Sequence, residues 1–348
     1  MTWRELLTAA GDKLKKSGIA EYEIDAWYLF SEAFGISRAE FFLCRDRESG
    51  IWCPGDLWDS GEIEKMAEAV ESEEESMALT PVDQPREESS QADQPREELP
   101  QAVQSRETQF GRFRKMICLR SQRIPLQQIT GHQEFMGLDF LVNEHVLCPR
   151  QDTEVLVETV LKALPEINVI RRDEDAELQI LDLCAGSGCI GISLERLAPV
   201  PINVLAADIS DEAIAVAKAN AQGLGCECYH IIKSDLFEQI TGTFDVIVSN
   251  PPYIPSADIE TLEDEVRLHE PRLALDGDED GLAFYRRISE AAPEHLKAGG
   301  RIYYEIGYDQ GEAVSQILAE NGFTDIRVIK DLAGLDRVVA ASCRGEVD

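Results

Sequence analysis

The spacing of apolar positions changes character along the chain. Trp3, Leu6, Leu7, Ala10 and Leu14 follow helical spacing behind Thr2-x-x-Glu5, a capping-box pattern, and Gly18 ends the helix. Ala26, Leu29, Phe30 and Ala33 form a second apolar stripe that stops near Gly35, and Ser37-x-x-Glu40 opens a third helix through Phe41, Phe42 and Leu43. Three helices this short bury little alone, so they are expected to pack on one another and on something downstream. Phe110, Phe113, Met116 and Ile117 supply a further helical stripe that closes the small domain. Residues 125–131 then lead into Phe135–Val142, which reads as a hairpin connecting two domains. A helix with Val157, Val160, Leu161 and Leu164 on one face follows, with Asp152 or Thr153 as its cap.

From Leu178 the pattern becomes short β-branched runs alternating with amphipathic stretches. Strands are expected at Leu178–Leu183, Val204–Ala207, Cys228–Ile232, Phe244–Val248, Arg301–Ile306, Thr324–Ile329 and Arg337–Ala341. Helices separate most of them: one through Leu194, one capped by Ser210, then Leu282–Ala292 and Gln310–Glu320. This alternation predicts an α/β domain with a mostly parallel sheet covered by helices on both faces.

Composition interrupts the picture at residues 51–108, which hold 16 acidic against 4 basic side chains. Asp83-Gln84-Pro85-Arg86-Glu87-Glu88 recurs at Asp93–Glu98, and Val103-Gln104-Ser105-Arg106-Glu107 is a decayed third copy. Such a segment is expected to be a disordered insertion. The expected organisation is therefore residues 1–49 and 109–124 as a split helical domain, 50–108 as the insertion, 125–150 as a connecting hairpin, and 151–345 as the α/β domain.

The net charge of −33 and the lack of any basic run argue against a nucleic-acid partner and favour a protein or small-molecule substrate. Nine cysteines without a Cys-x-x-Cys suit a reducing cytoplasm, and the scattered histidines predict no metal. Neither a signal peptide nor a membrane span is evident, so no membrane partner is expected.

Two stretches carry chemistry. Asp182-Leu183-Cys184-Ala185-Gly186-Ser187-Gly188-Cys189-Ile190-Gly191 joins the first α/β strand to its helix and contains Gly-x-Gly-x-x-Gly. Asp208 ends the next strand, where a doubly wound fold places the acid that binds ribose hydroxyls. Both a nicotinamide cofactor and S-adenosylmethionine suit this arrangement. Asp182, which can attract a sulfonium or an ammonium group, favours the second. Asp235 and Leu236 follow the third strand, where adenine should lie. The second stretch, Asn250-Pro251-Pro252-Tyr253, follows a buried strand. The prolines fix two φ angles and remove two donors. Asn250 supplies a carbonyl acceptor and Tyr253 an aromatic face. The turn either simply ends the strand or clamps a planar NH2 group.

In the order of these elements the chain resembles Rossmann-like methyltransferases that act on planar NH2 groups, and most closely the release factor glutamine methyltransferases. Further stretches fit that family: Pro125–Gly131, Phe135, Leu147–Glu154, Ile254, Glu270–Gly277, Asp280–Leu282 and the N-terminal helices. Gln151-Asp152 stands where the family more often has proline and glutamate. The resemblance implies a class I methyltransferase domain with a seven-stranded sheet, plus the helical N-terminal domain. It implies S-adenosylmethionine as cofactor, held by Asp182, Cys184, Ala185, Gly186, Ser187, Gly188, Asp208, Asp235, Leu236 and Asn250. It also implies peptide chain release factors as partners, with the glutamine of their Gly-Gly-Gln loop held by Asn250, Pro251, Pro252 and Tyr253. Of these, Asn250, Pro251 and Tyr253 are the expected catalytic residues, and Gln127, Phe135 and Arg150 are expected to shape the site. Competing readings are a glutamine methyltransferase of a ribosomal protein, an adenine-N6 or guanine-N2 nucleic-acid methyltransferase, and a non-catalytic cofactor-binding module.

Overall fold

Local capping chemistry starts the N-terminal helices where the sequence places them. In the structure, a computed structural model that describes residues 1–50, 58, 101–171 and 177–344, helix α1 (Trp3–Lys16) opens with a full capping box. The Thr2 hydroxyl accepts from the Glu5 amide at 3.2 Å, and the Glu5 carboxylate accepts from the Thr2 amide at 2.8 Å. Helix α2 (Tyr22–Phe34) ends on Gly35 in the left-handed region, φ 63°. Helix α3 (Arg38–Cys44) has a second capping box from Ser37 and Glu40. Helices α4 (Gln101–Ser121) and α5 (Leu126–Thr130) complete the unit Met1–Thr130. Its core gathers Leu6, Leu29, Phe30, Phe113 and Ile117, all fully buried. Trp3 meets Phe30 and Phe34 edge-on.

Most of the acidic repeat lies outside the described residues, but its end does not. Helix α4 starts at Gln101, within the stretch that composition assigns to the insertion. The decayed repeat explains the difference. Ser105 stands where Pro85 and Pro95 occupy the two intact copies, so the helix-breaking residue is gone.

The second unit runs from Gly131. It opens with an antiparallel hairpin, β1 (His132–Phe135) and β2 (Leu138–Leu141). This hairpin packs into the second unit rather than standing as a connector: Phe135 and Phe140 join the core around Leu156. Helix α6 (Gln151–Arg171) begins one or two residues before the expected cap, so Asp152 and Thr153 lie in its first turn. The alternation then follows as β3 (Leu178–Leu183), α7 (Cys189–Leu197), β4 (Ile202–Asp208), α8 (Asp211–Gly223), β5 (Tyr229–Lys233) and β6 (Phe244–Ser249). Two short helices, α9 (Asp264–His269) and α10 (Arg272–Leu275), precede α11 (Ala283–His295), β7 (Leu296–Glu305), α12 (Gly311–Glu320), β8 (Thr324–Lys330) and β9 (Asp336–Ser342).

The strand order is β5-β4-β3-β6-β7-β9-β8, with only β9 running against its neighbours. This is the expected mostly parallel seven-stranded sheet. Alternate residues feed two core layers: Ile180, Val246 and Val248 one face, Leu181, Leu183 and Ile247 the other. The chain winds outward from β3 to β5, then returns to β6 on the other side of β3. That reversal opens a crevice at the carboxyl ends of β3 and β6. The Ser249 hydroxyl donates to the Leu183 carbonyl at 2.7 Å, locking the two strand ends side by side.

Candidate active site

The glycine turn leaves β3 through a strained residue and is tied down from below. Cys184, the first residue past β3, has φ 60°, a left-handed conformation that costs a non-glycine residue on the order of 1–2 kcal/mol. Gly186 follows at φ 55°, and a Cβ there would stand in open space. Beneath the turn, Asp182 is fully buried and its Oδ2 accepts from the Gly191 amide at 2.9 Å. A Cβ on Gly191 would lie 2.8 Å from that oxygen and 2.8 Å from the Tyr229 ring. Burial pushes the Asp182 carboxyl up to about 7; the Gly191 amide bond opposes the shift and nearby Asp208 adds to it. Asp182 thus pins the start of α7 to the end of β3.

Asp208 does two things at once. Its Oδ2 accepts from the Gly186 amide at 2.8 Å and its Oδ1 from the Ser210 amide at 2.9 Å. One carboxylate therefore holds the loops after β3 and β4 together, and each oxygen keeps acceptor capacity for a ligand hydroxyl. After β5, Asp235 accepts from Arg287 of α11 at 2.8 Å. Leu236 beside it sits at φ 50°, with its carbonyl held by the Ser234 hydroxyl at 2.7 Å.

The Asn250–Tyr253 turn is braced from outside. Gln310 donates from Nε2 to the Tyr253 carbonyl at 2.9 Å. Ile254 exchanges backbone bonds with Leu275 and Gly277, at 3.0 and 2.8 Å. A Cβ on Gly281 would fall 2.3 Å from the Tyr253 carbonyl, so that contact requires glycine. Pro251 and Pro252 are buried and Asn250 half-buried. Asn250 donates from Nδ2 to the Thr153 hydroxyl at 3.5 Å.

These loops enclose a cavity of about 330 Å³ at the carboxyl edge of the sheet. Cys184, Ala185, Gly186, Ser187, Asp208, Asp235, Leu236, Asn250 and Pro252 line it. Asp182, Gly188, Pro251 and Tyr253 are not among the lining residues. Asp182 lies below the turn, and Gly188 packs against Tyr229 and Ile192. The Tyr253 ring is packed against the core layer that holds Tyr285 and Tyr304. Its hydroxyl pKa is raised by burial and by Glu305. Of the shaping residues, Arg150 lines the cavity and pairs with the buried Glu270. Phe135 is a core residue, and Gln127 belongs to the N-terminal unit.

Several lining residues escape the sequence reading. Arg287 and Phe284 come from the first turns of α11, and His145–Leu147 from the loop before α6. Nothing in the local sequence marks Arg287 or Phe284.

Residues 153–266 match the Methyltransferase small domain, and residues 5–49 match the PrmC N-terminal domain. The release factor glutamine methyltransferase of Clostridium acetobutylicum is 45% identical over 239 residues, covering 68% of this chain and 81% of that protein. Its namesake from Geobacter sulfurreducens is 45% identical over 227 residues, covering 65% and 76%. That of Agrobacterium fabrum is 43% identical over 234 residues, covering 67% and 79%. Identity of this depth, together with a matching N-terminal domain and the glycine turn, Asp208 and Asn250 gathered on one cavity, shows that the chain belongs to the release factor glutamine methyltransferase family.

Proposed function

We propose that this chain transfers a methyl group from S-adenosylmethionine to the side-chain amide nitrogen of the glutamine in the Gly-Gly-Gln loop of peptide chain release factors. The cavity suits the cofactor. Gly186 leaves open space where any other residue would project a Cβ, both Asp208 oxygens are pre-oriented by backbone amides, and Leu236 and Phe284 offer apolar faces at the Asp235 end. When bound, S-adenosylmethionine supplies an electrophilic methyl on a sulfonium.

The chain's own residues would do the rest. Asp208 accepts from the ribose hydroxyls, and the Cys184–Ser187 turn receives the methionine portion. The Asn250 carbonyl oxygen accepts one amide N–H bond of the glutamine, and the Pro251 backbone carbonyl would take the other where the substrate reaches past the cavity lining, of which Pro251 is not part. An amide lone pair is delocalised, so fixing the group in line with the methyl is the main service required; effective molarities for such placement reach on the order of 10⁵ M or more. The nitrogen–carbon bond would form as the methyl's bond to sulfur breaks, its electron pair returning to sulfur to leave a neutral thioether; the nitrogen's surplus proton would then leave to solvent, and no strong base is needed beforehand. Tyr253 supports the turn from behind and keeps water from its underside.

The observation that carries this reading is the emergence of Asn250 into the cavity directly beside the glycine turn, with Ser249 bonded to Leu183 between them. Among the described residues no helix is long and apolar enough to cross a membrane, and a substrate from the translation apparatus sets the reaction in the cytoplasm. The test uses radiolabelled S-adenosylmethionine and a release factor, with a Gln→Ala change in its Gly-Gly-Gln loop as control. Label is expected on the normal factor only; label that persists in the control overturns the substrate assignment.

A further inference from the structure

Glu305 ends β7 beside the clamp. Ser249 faces Tyr304 in the parallel β6–β7 ladder, so Asn250, just past β6, and Glu305, the last residue of β7, follow them side by side. Glu305 is 2% exposed, and its Oε2 is buried with no hydrogen-bond partner. Its backbone is fixed too, since the Tyr285 hydroxyl donates to its carbonyl at 2.8 Å. Thr153, also buried, accepts from Asn250 Nδ2 at 3.5 Å. We propose that Glu305, acting with Thr153, is a positioning residue that turns the Asn250 amide nitrogen inward and its carbonyl oxygen toward the cavity.

The proposal rests on the glutamine-amide reading, because only an NH2-bearing substrate needs that oxygen outward. The two ends of an asparagine amide have nearly the same shape, and a half-turn would set its NH2 against the substrate's NH2. A threonine hydroxyl cannot prevent this, since it both donates and accepts. A carboxylate only accepts, so it selects the nitrogen as the inward end. Protonation would remove that selection by giving Glu305 a donor of its own. Burial pushes the Glu305 carboxyl up to about 7, while the nearby Thr153 hydroxyl and Asn250 amide and the charge of Arg337 hold it back. The other groups facing it are Asp152, which raises it further, and Tyr253, Tyr285 and Cys189, which meet its charge. Arg337 is itself held by Asp152 and Asp331, at 3.0 and 3.3 Å. Transfer should therefore slow as the pH falls through neutrality.

The test measures methylation of a release factor at saturating cofactor on both sides of neutrality, for the wild type, Glu305→Gln and Glu305→Ala. The Gln variant, like the protonated acid, both donates and accepts, and it cannot titrate, so it should hold the slowed rate of the protonated enzyme at every pH and lose the acid limb of the kcat profile. The Ala variant should lower kcat by about 10²-fold, the scale of a misplaced reacting group, with cofactor Kd by calorimetry near that of the wild type. An acid limb unchanged in Glu305→Gln, or a wild-type kcat in Glu305→Ala, overturns the proposal; should the Ala variant fail to fold, the Gln profile alone decides. A wild-type enzyme that leaves the glutamine unmethylated overturns instead the reading beneath it.

Discussion

Asp208→Asn separates the loop-tying role of this acid from the chemistry of transfer. Both carboxylate oxygens are in use, one on the Gly186 amide at 2.8 Å and one on the Ser210 amide at 2.9 Å. Asparagine keeps one oxygen, and its NH2 must then face one of the two N–H groups, donor against donor. A hydrogen bond to a charged group contributes about 1.5–3 kcal/mol, and its loss here falls on the turn that must be ordered to bind cofactor. At 1.4 kcal/mol per decade this predicts affinity about 10–100-fold weaker. Losing one oxygen for the ribose works in the same direction. Calorimetric titration with S-adenosylhomocysteine measures it without turnover, and kcat at saturating cofactor should change far less than Kd. Asp235→Asn is the comparison. Its pair with Arg287 is half-exposed, and such pairs contribute about 0–1 kcal/mol, so its effect should be severalfold at most. Asp208→Asn binding within threefold of the wild type would refute the reasoning.

Other substitutions probe other parts of the site. Gly191→Ala should destabilise the fold by about 1–3 kcal/mol in urea melts, because its Cβ would stand 2.8 Å from Asp182 and Tyr229 in a closed core; an unchanged midpoint would contradict the packing. Asn250→Ala should bind cofactor nearly as the wild type does by calorimetry, yet transfer about 10²–10³-fold more slowly, as when one positioned polar group is removed. Near-normal transfer would remove Asn250 from its role. Asp182→Asn tests burial of charge. With the folded value raised from 3.8 to about 7, the native state holds a proton that the unfolded chain releases, so this group's contribution to wild-type stability falls as pH rises through that window, by up to about 1.4 kcal/mol per unit. Asparagine still offers Gly191 an oxygen and does not titrate. The thermal midpoint of the variant relative to the wild type should therefore climb between those values and level off above them, whereas a constant difference would contradict the shift.

What the sequence conveyed depended on how local the physics is. Strand and helix positions came from periodicity and caps, and Thr2, Ser37 and Ser210 all cap as their spacing predicts. The glycine turn and Asp208 were legible because a fixed order along the chain becomes adjacency in a doubly wound sheet. Glu305, Thr153 and Gln310 were not, since their approach to Asn250 and Tyr253 depends on strand register and on the start of α6. Phe135 and Tyr253 stand in stretches that read as site residues, although in the structure both rings pack in the core. An aromatic beside a motif carries no local sign of which way its ring turns. Asp182 looks like a ligand in sequence for a similar reason: only the fold reveals that its carboxylate lies beneath the turn.

The most direct measurement is tandem mass spectrometry of a release factor incubated with the protein and S-adenosylmethionine. One added methyl group is expected, on the side-chain amide of the Gly-Gly-Gln glutamine, and none when Asn250→Ala replaces the wild type. A methyl found on another residue, or a factor left unmodified while the protein binds cofactor normally, would contradict the proposed function.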